Sequence, residues 1–418
     1  MRLSQELPNG LLLRNVRNEA DKEQFAALSA TYNNPMEGAT CASLLYHHPQ
    51  MTPEDFWLVE DRSTHQVVST TCLIPWTGHL QGLDLRIAQL EMVLTHPDYR
   101  RQGLVRAQIK QFLEEVKGRD YDLSIIWGIP YYYRQYGYGY AIDGNVAESL
   151  AVWRIPDLPA GGVPVCQMRP ATVADIPRLT ALYAHAVSQL DLYLRRSPAH
   201  WEYLILAAKH PIQMLESVSG EVLGYASLTC SHERVTIHEA GLPSAEAALA
   251  ILRVCKSEAK QEIVMAWPQT THLAQMARSL GSQTVPGGQW LLRFPDLARF
   301  FRRLAPVLES RLAGSAWQAA TTQLTINLYR EAFRLRFENG KLAGVEALGF
   351  VDASMGADGG QLCIPPEAFI RLLSGYRSLD QLFDAWPDIT LKPEARWLVE
   401  VLFPRMESYI HTPYHYLG

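Results

Sequence analysis

The stretch Glu91–Gly139, EMVLTHPDYRRQGLVRAQIKQFLEEVKGRDYDLSIIWGIPYYYRQYGYG, constrains this chain more than any other. It reads as a strand to Thr95, a basic turn through Arg100, Arg101, Gln102 and Gly103, and a helix with apolar positions at Leu104, Ile109, Phe112, Leu113 and Val116. The first N–H groups of a helix lack intrahelical partners and sit at the positive end of its dipole, so such a turn aims donors at one point. It suits phosphate oxygens, with Gly103 allowing close backbone approach and the arginines adding charge.

Arg100-Arg101-Gln102-Gly103-Leu104-Val105 resembles the R/Q-x-x-G-x-G/A pyrophosphate motif of the GCN5-related N-acetyltransferases (GNAT), with Val105 departing from its final Gly or Ala. Tyr132–Gly139 resembles the Y-x-x-x-G-Y/F segment that follows the fifth strand of that superfamily. The resemblance implies acetyl-CoA as donor, held by Arg100, Arg101, Gln102, Gly103, Leu104, Val105 and Arg106. It also implies that a strand splays just before Pro97, at Val93, Leu94 and Thr95, where backbone N–H groups polarise the thioester carbonyl.

A chain of 418 residues, 48% of them hydrophobic, has room for two to four cores on a prior of ~100 to 200 residues per domain. No apolar run approaches the ~20 residues that span a bilayer, and MRLSQELPNG lacks a signal peptide's apolar region, so a cytoplasmic protein without a membrane partner is expected. The net charge of -5 argues against nucleic acid. The six cysteines form no C-x-x-C pair and read as core residues in a reducing compartment, with no metal site.

The fold class expected is α/β with mixed sheets, one domain type written twice and then a different one. In residues 1–155 a strand at Leu11–Val16, a helix capped by Asn18, strands at Phe56–Asp61, Gln66–Ile74 and Leu85–Thr95, the basic turn and its helix, a strand at Asp122–Ile129 and a closing strand pair within Tyr138–Ile155 follow one another. After the Pro/Gly-rich linker Pro156–Pro164 that order repeats in residues 156–294, but the turn there reads Gly241-Leu242-Pro243-Ser244-Ala245, without arginine, so no cofactor is expected on it. Residues 295–418 read as an α+β domain resembling the sterol-carrier-protein fold, with one helix over Leu297–Leu312 and a hairpin at Asn339-Gly340.

Two acetyltransferase-like halves and such a domain resemble the enhanced-intracellular-survival (Eis) family of aminoglycoside and amine N-acetyltransferases. That resemblance implies a homohexamer and an acceptor pocket for polycationic amines. Matching YYRQYGYG to the family's segment places the general acid on Tyr133, whose phenol stays protonated to about pH 10. For the base two carboxylates stand open. The family uses the chain's terminal carboxylate, here Gly418, while strand alternation puts Glu91 on one face with Val93 and Thr95, able to point into the cleft. Acceptor residues are expected in loops at Tyr32–Tyr46 and Pro75–Asp84, with Trp76 as a pocket wall. A protein lysine, a polyamine or another amine metabolite is the alternative acceptor. A non-catalytic protein binding acyl-CoA or a hydrophobic ligand is the alternative class.

Overall fold

The computed structural model describes residues 3–144, 146–158, 166–208, 210–231, 233–266, 268–354 and 359–412. Gly418, the tail from Pro413, Trp267 and most of the linker lie outside the described residues.

The N-terminal unit contains strands β1 (Ser4–Leu7), β2 (Leu11–Asn15), β3 (Phe56–Asp61), β4 (Gln66–Leu80), β5 (Leu83–Thr95), β6 (Leu123–Ile126) and β7 (Gly139–Gly144), with helices α1 (Glu19–Tyr32), α2 (Pro35–His47) and α3 (Leu104–Gly118). Asn18 caps α1 by accepting from the Asp21 N–H at 2.9 Å, as its position before the first apolar turn predicts. Helix α2 replaces the loop expected at Tyr32–Tyr46: Asn34 accepts from the Glu37 N–H and Pro35 opens the first turn, where a missing N–H costs nothing. Pro75–Asp84 is no loop either. Strands β4 and β5 run on to a two-residue turn at Gln81 and Gly82, both with positive φ, which matches the strands' twist.

The middle unit adds β8 (Ala147–Ala151), β9 (Cys166–Pro170), β10 (Leu192–Leu194), β11 (Ile212–Ser217), β12 (Val222–Cys230), β13 (Arg234–Gly241), β14 (Glu262–Met265), β15 (Gln283–Val285) and β16 (Gly288–Arg293), with α4 (Ile176–Ala186), α5 (Pro198–Leu206), α6 (Ala245–Glu258) and α7 (His272–Ser279). The two units exchange strands. The first sheet runs β1-β2-β3-β4-β5-β6-β16-β7 with β10 on β4, and the second runs β15-β8-β14-β13-β12-β11-β9. The closing strand pair expected within Tyr138–Ile155 is therefore corrected: β7 pairs with β16, and β8 with β14 and β15. A period-2 pattern identifies a strand without naming its neighbour, so this exchange had no sequence signal.

In the C-terminal unit, β17 (Thr322–Asn327), β18 (Ala332–Glu338), β19 (Lys341–Gly349), β20 (Leu362–Cys363) and β21 (Thr390–Leu391) form a sheet ordered β19-β18-β17-β20-β21. Asn339 and Gly340, both with positive φ, make the expected hairpin turn between β18 and β19. The single helix expected over Leu297–Leu312 is two, α8 (Leu297–Arg303) and α9 (Ala305–Ala313), because Pro306 has no N–H to continue the ladder. Helices α10 (Pro366–Leu373), α11 (Leu379–Ala385) and α12 (Arg396–Leu402) complete it. One apolar core runs from Phe25 and Ile87 through Trp201 and Tyr225 to Phe301 and Phe403, so the three units pack as one body. Among the described residues no helix is long and apolar enough to cross a membrane.

Candidate active site

In each of the first two sheets one parallel pair joins the crossover helix to its neighbours: β5 with β6 across α3, and β13 with β14 across α6. The pairing of β5 and β6 runs from Ile87 opposite Leu123 to Gln89 opposite Ile125 and goes no further, so beyond Gln89 the strands part. Just past that point β5 bulges. Leu94 lies opposite Thr70 and Glu91 opposite Cys72, which leaves Met92 and Val93 together facing Thr71, with Met92 at φ 55°. The irregularity thus begins one residue before the expected Val93–Thr95.

The extra residue reverses the alternation. Val93 packs with Leu104, Phe112 and Tyr133 on the α3 side, while Met92, Leu94 and Cys72, the cross-strand partner of Glu91, belong to the core on the α1 and α2 side. Thr95 also faces α3, its hydroxyl 2.8 Å from that of Ser69, which lies 2.7 Å from the Gln108 carbonyl oxygen. Glu91 therefore does not share a face with Val93 and Thr95, as simple alternation predicts, but looks toward α1 and α2. It is held there: the Trp76 indole N–H donates to Gln89 Oε1 at 2.8 Å, and Gln89 Nε2 donates to Glu91 Oε2 at 2.7 Å. Sequence reasoning missed Gln89, whose signal was its place two residues before Glu91 on the same face. Trp76 is buried in a strand, although one edge of it borders a cavity of about 440 Å³ against His200.

The turn after β5 places Arg101 at φ 65° and Gly103 at φ 81°, and α3 starts at Leu104 with no side chain capping its N–H groups and no acid in its first turn. Arg100, Arg101 and Arg106 make no ion pair among the described residues. An added Cβ at Gly103 would meet nothing within 4 Å, so glycine is required there by conformation and not by crowding. Val93, Leu94, Thr95, Arg100, Arg101, Gly103, Leu104, Val105 and Arg106 border one cavity of about 580 Å³, to which Tyr132 and Tyr136 also contribute. Gln102 turns away and accepts from Asn9 Nδ2 at 3.1 Å. Open helix donors beside uncompensated arginines form a site for an anion. The middle unit keeps a bulge, with His238 as the extra residue of β13, but its helix α6 is closed: Ser244 accepts from the Ala247 N–H at 3.2 Å and Glu246 occupies the first turn.

Five tyrosines lie between β6 and β7. Tyr138 bonds Ser124 at 2.7 Å, Tyr132 and Tyr136 line the cavity, and Tyr131 is exposed beside the Arg134 guanidinium. Tyr133 is buried over Gly128, where a Cβ would come within 2.2 Å of its ring, so only glycine leaves it room. Burial first, and then the charge of Glu91, raise the Tyr133 phenol well above its ordinary range. Among the described residues no hydrogen bond engages its hydroxyl. A phenol on the α3 side of the sheet and a carboxylate on its α1 and α2 side are thus near enough for the Glu91 charge to act on Tyr133, at the bulge that leads into the arginine turn.

A cleft of this kind, opening between β5 and β6 beside a bulge and an arginine turn, defines an acyltransferase of the GNAT class, which uses an acyl-CoA co-substrate. Residues 13–141 match the family described as acetyltransferase (GNAT) domain, and the protein is an enzyme of that class. No curated protein matches the chain in sequence. Solved structures match it in fold. A probable N-acyltransferase from Enterococcus faecalis V583 superposes with a TM-score of 0.71 at 14% identity over 96% of this chain and 99% of its own. A GCN5-related N-acetyltransferase from Anabaena variabilis gives 0.68 at 15% identity, and Eis1 from Mycobacterium abscessus gives 0.61 at 15%, with the same coverage of both chains. At these identities the likeness is one of fold, and it extends through all three units.

Proposed function

We propose that the protein moves an acetyl group from acetyl-CoA to an amine of a small polycationic acceptor of the aminoglycoside kind. The observation that carries this reading is the uncapped, arginine-flanked start of α3, reached from the bulge of β5 that separates Glu91 from the Tyr133 side. Arg100, Arg101, Arg106 and the free N–H groups after Gly103 hold the pyrophosphate, and Val93 to Thr95 lie along the pantetheine arm. The acceptor enters on the α1 and α2 side, where Glu91 points. Its neutral nitrogen attacks the thioester carbonyl carbon, a C–N bond forms and the C–S bond breaks. The departing sulfur takes the Tyr133 proton, and the proton shed by nitrogen passes to a carboxylate. Glu91 is one candidate for that carboxylate, and the terminal carboxylate of Gly418 is the other. The middle unit, with its capped and acidic α6 start, carries no cofactor in this reading. The C-terminal unit is read as sterol-carrier-protein-like and the assembly as a homohexamer, both by resemblance to the Eis family.

The test is release of free thiol from acetyl-CoA by the untagged protein with aminoglycosides, polyamines, amine metabolites and a lysine peptide. Turnover with several aminoglycosides supports the reading. Turnover confined to the peptide or the polyamines moves the acceptor class, and absence of acetyl-CoA binding removes the enzyme reading for this cleft.

A further inference from the structure

The middle unit retains the bulge of an active GNAT sheet but not its anion turn, and residues from the far end of the chain lie against that bulge. From Glu407 the backbone runs beside β10: the Asp191 N–H donates to the Glu407 carbonyl at 2.7 Å, Ser408 bridges Leu192, and the Tyr409 N–H donates to the Leu192 carbonyl at 2.9 Å. The segment then touches both strands of the parting pair. His411 Nε2 is 3.1 Å from Glu239 Oε2, the residue after the bulge of β13, and the Tyr409 hydroxyl donates to the Ala266 carbonyl, just past β14, at 3.3 Å. Tyr409, Ile410 and Thr412 are buried.

Glu239 is a prepared anchor. It is buried, takes both Arg196 guanidinium nitrogens at 2.5 Å and accepts from the Tyr225 hydroxyl at 2.6 Å. Arg196 in turn lies over the rings of both Tyr183 and Trp201. A carboxylate this fully engaged stays charged and offers its remaining lone pair to His411.

One step leads from this anchor to the first unit's cleft. The Trp290 indole N–H donates to the Ile410 carbonyl at 3.0 Å, and Trp290 sits on β16, the exchanged strand between β6 and β7. Its ring meets Trp127 edge-on at 5.4 Å. Trp127 follows β6, is wedged over Gly144 and Gly288, where any Cβ would come within 2.5 Å of its ring, and precedes Gly128, the seat of Tyr133. We propose that Glu239 and His411 are positioning residues of the N-terminal active site: the middle unit has given up a cofactor and uses its bulge to seat residues 407–412, which hold Trp290, Trp127 and hence Tyr133 in place. The inference rests on the reading of Tyr133 as the acid.

The experiment compares His411→Ala and His411→Gln with the parent in the full-length protein. Three quantities are measured: turnover and KM for acetyl-CoA, the unfolding midpoint, and the hydrogen-exchange rate of the Trp290 indole N–H, assigned with Trp290→Phe. His411→Ala is expected to lower kcat about tenfold, to keep KM for acetyl-CoA within about twofold and to speed the indole exchange about tenfold. The Gln carboxamide N–H can still reach Glu239, so His411→Gln should regain most of the loss. A His411→Ala enzyme with parental kcat overturns the proposal, and so does equal loss in both variants or a loss matched by a large drop in midpoint. If the parent itself transfers no acetyl group, the functional reading fails on its own, and the indole exchange alone decides the seating: faster exchange in His411→Ala supports it, unchanged exchange overturns it.

Discussion

Glu91 and Val93 lie on one strand two residues apart and yet face opposite sides of the sheet, because Met92, at φ 55°, adds a residue to β5 opposite Thr71. The Glu91 carboxylate and the Val93 side chain, which borders the cavity beside the arginine turn, are thereby placed on opposite faces of the sheet. Replacing Glu91 by Gln keeps the bond from Gln89 within reach and removes only the charge. In steady-state assays Glu91→Gln is expected to lower kcat tenfold or more, with roughly unchanged KM for acetyl-CoA. A parental rate in that variant, together with a rate lost on adding residues after Gly418, would transfer the base to the terminal carboxylate.

Tyr133→Phe removes one oxygen from a buried ring that packs on Gly128, so the fold has little to lose. Turnover should fall about 10²-fold, with the KM for acetyl-CoA little changed. Phe at Tyr132 or Tyr136, which line the cavity proposed to take the donor, should show the opposite pattern, a changed KM with a kept kcat. A Tyr133→Phe enzyme at full speed would refute the acid assignment.

What was legible in the sequence follows from how local its cause is. Arg100 to Arg106 announced an anion turn because residue types, spacing and the following helix all lie within one short run. Tyr133 needed the resemblance, since five tyrosines crowd its segment and only Gly137 singles it out. The irregularity in β5 was expected only through the resemblance, and its start at Met92 carried no signal, because a methionine there takes a conformation normally left to glycine. Helix α2 was readable and missed: Asn34 followed by Pro35 is a helix start as much as a loop. The exchange of β8 and β16 was beyond reach, because a strand's own alternation says which face is buried and nothing about its neighbours.

The two helix starts predict a stoichiometry. At α3 the donors are uncapped and flanked by arginines; at α6 Ser244 has taken a donor and Glu246 repels an anion. Calorimetric titration with acetyl-CoA should give one site per chain. Arg101→Ala should weaken it about tenfold and reduce its dependence on salt, while Glu246→Ala should leave it unchanged. Two sites per chain would overturn the division of labour between the units.

The seam between the first two units should give the fold a pH response. His48, after α2, and His200, on α5, are buried with ring centroids 5.7 Å apart, and Tyr203 and Trp76 pack on them. Burial lowers the His48 pKa to about 4, and burial with the nearby Arg196 charge lowers that of His200 well below its usual range. Both folded values lie below the unfolded 6.5, so at acid pH the unfolded chain binds more protons. The stability from the neutral rings is whole above pH 6.5, falls as the pH drops below it, and for His48 levels off near pH 4. For His48 the loss is on the order of 3 kcal/mol. Denaturant unfolding of the parent should therefore weaken from pH 7 to pH 4.5. His48→Leu, which keeps the packing and cannot take a proton, should show a shallower fall. If its pH dependence matches the parent's, the response originates in groups other than His48.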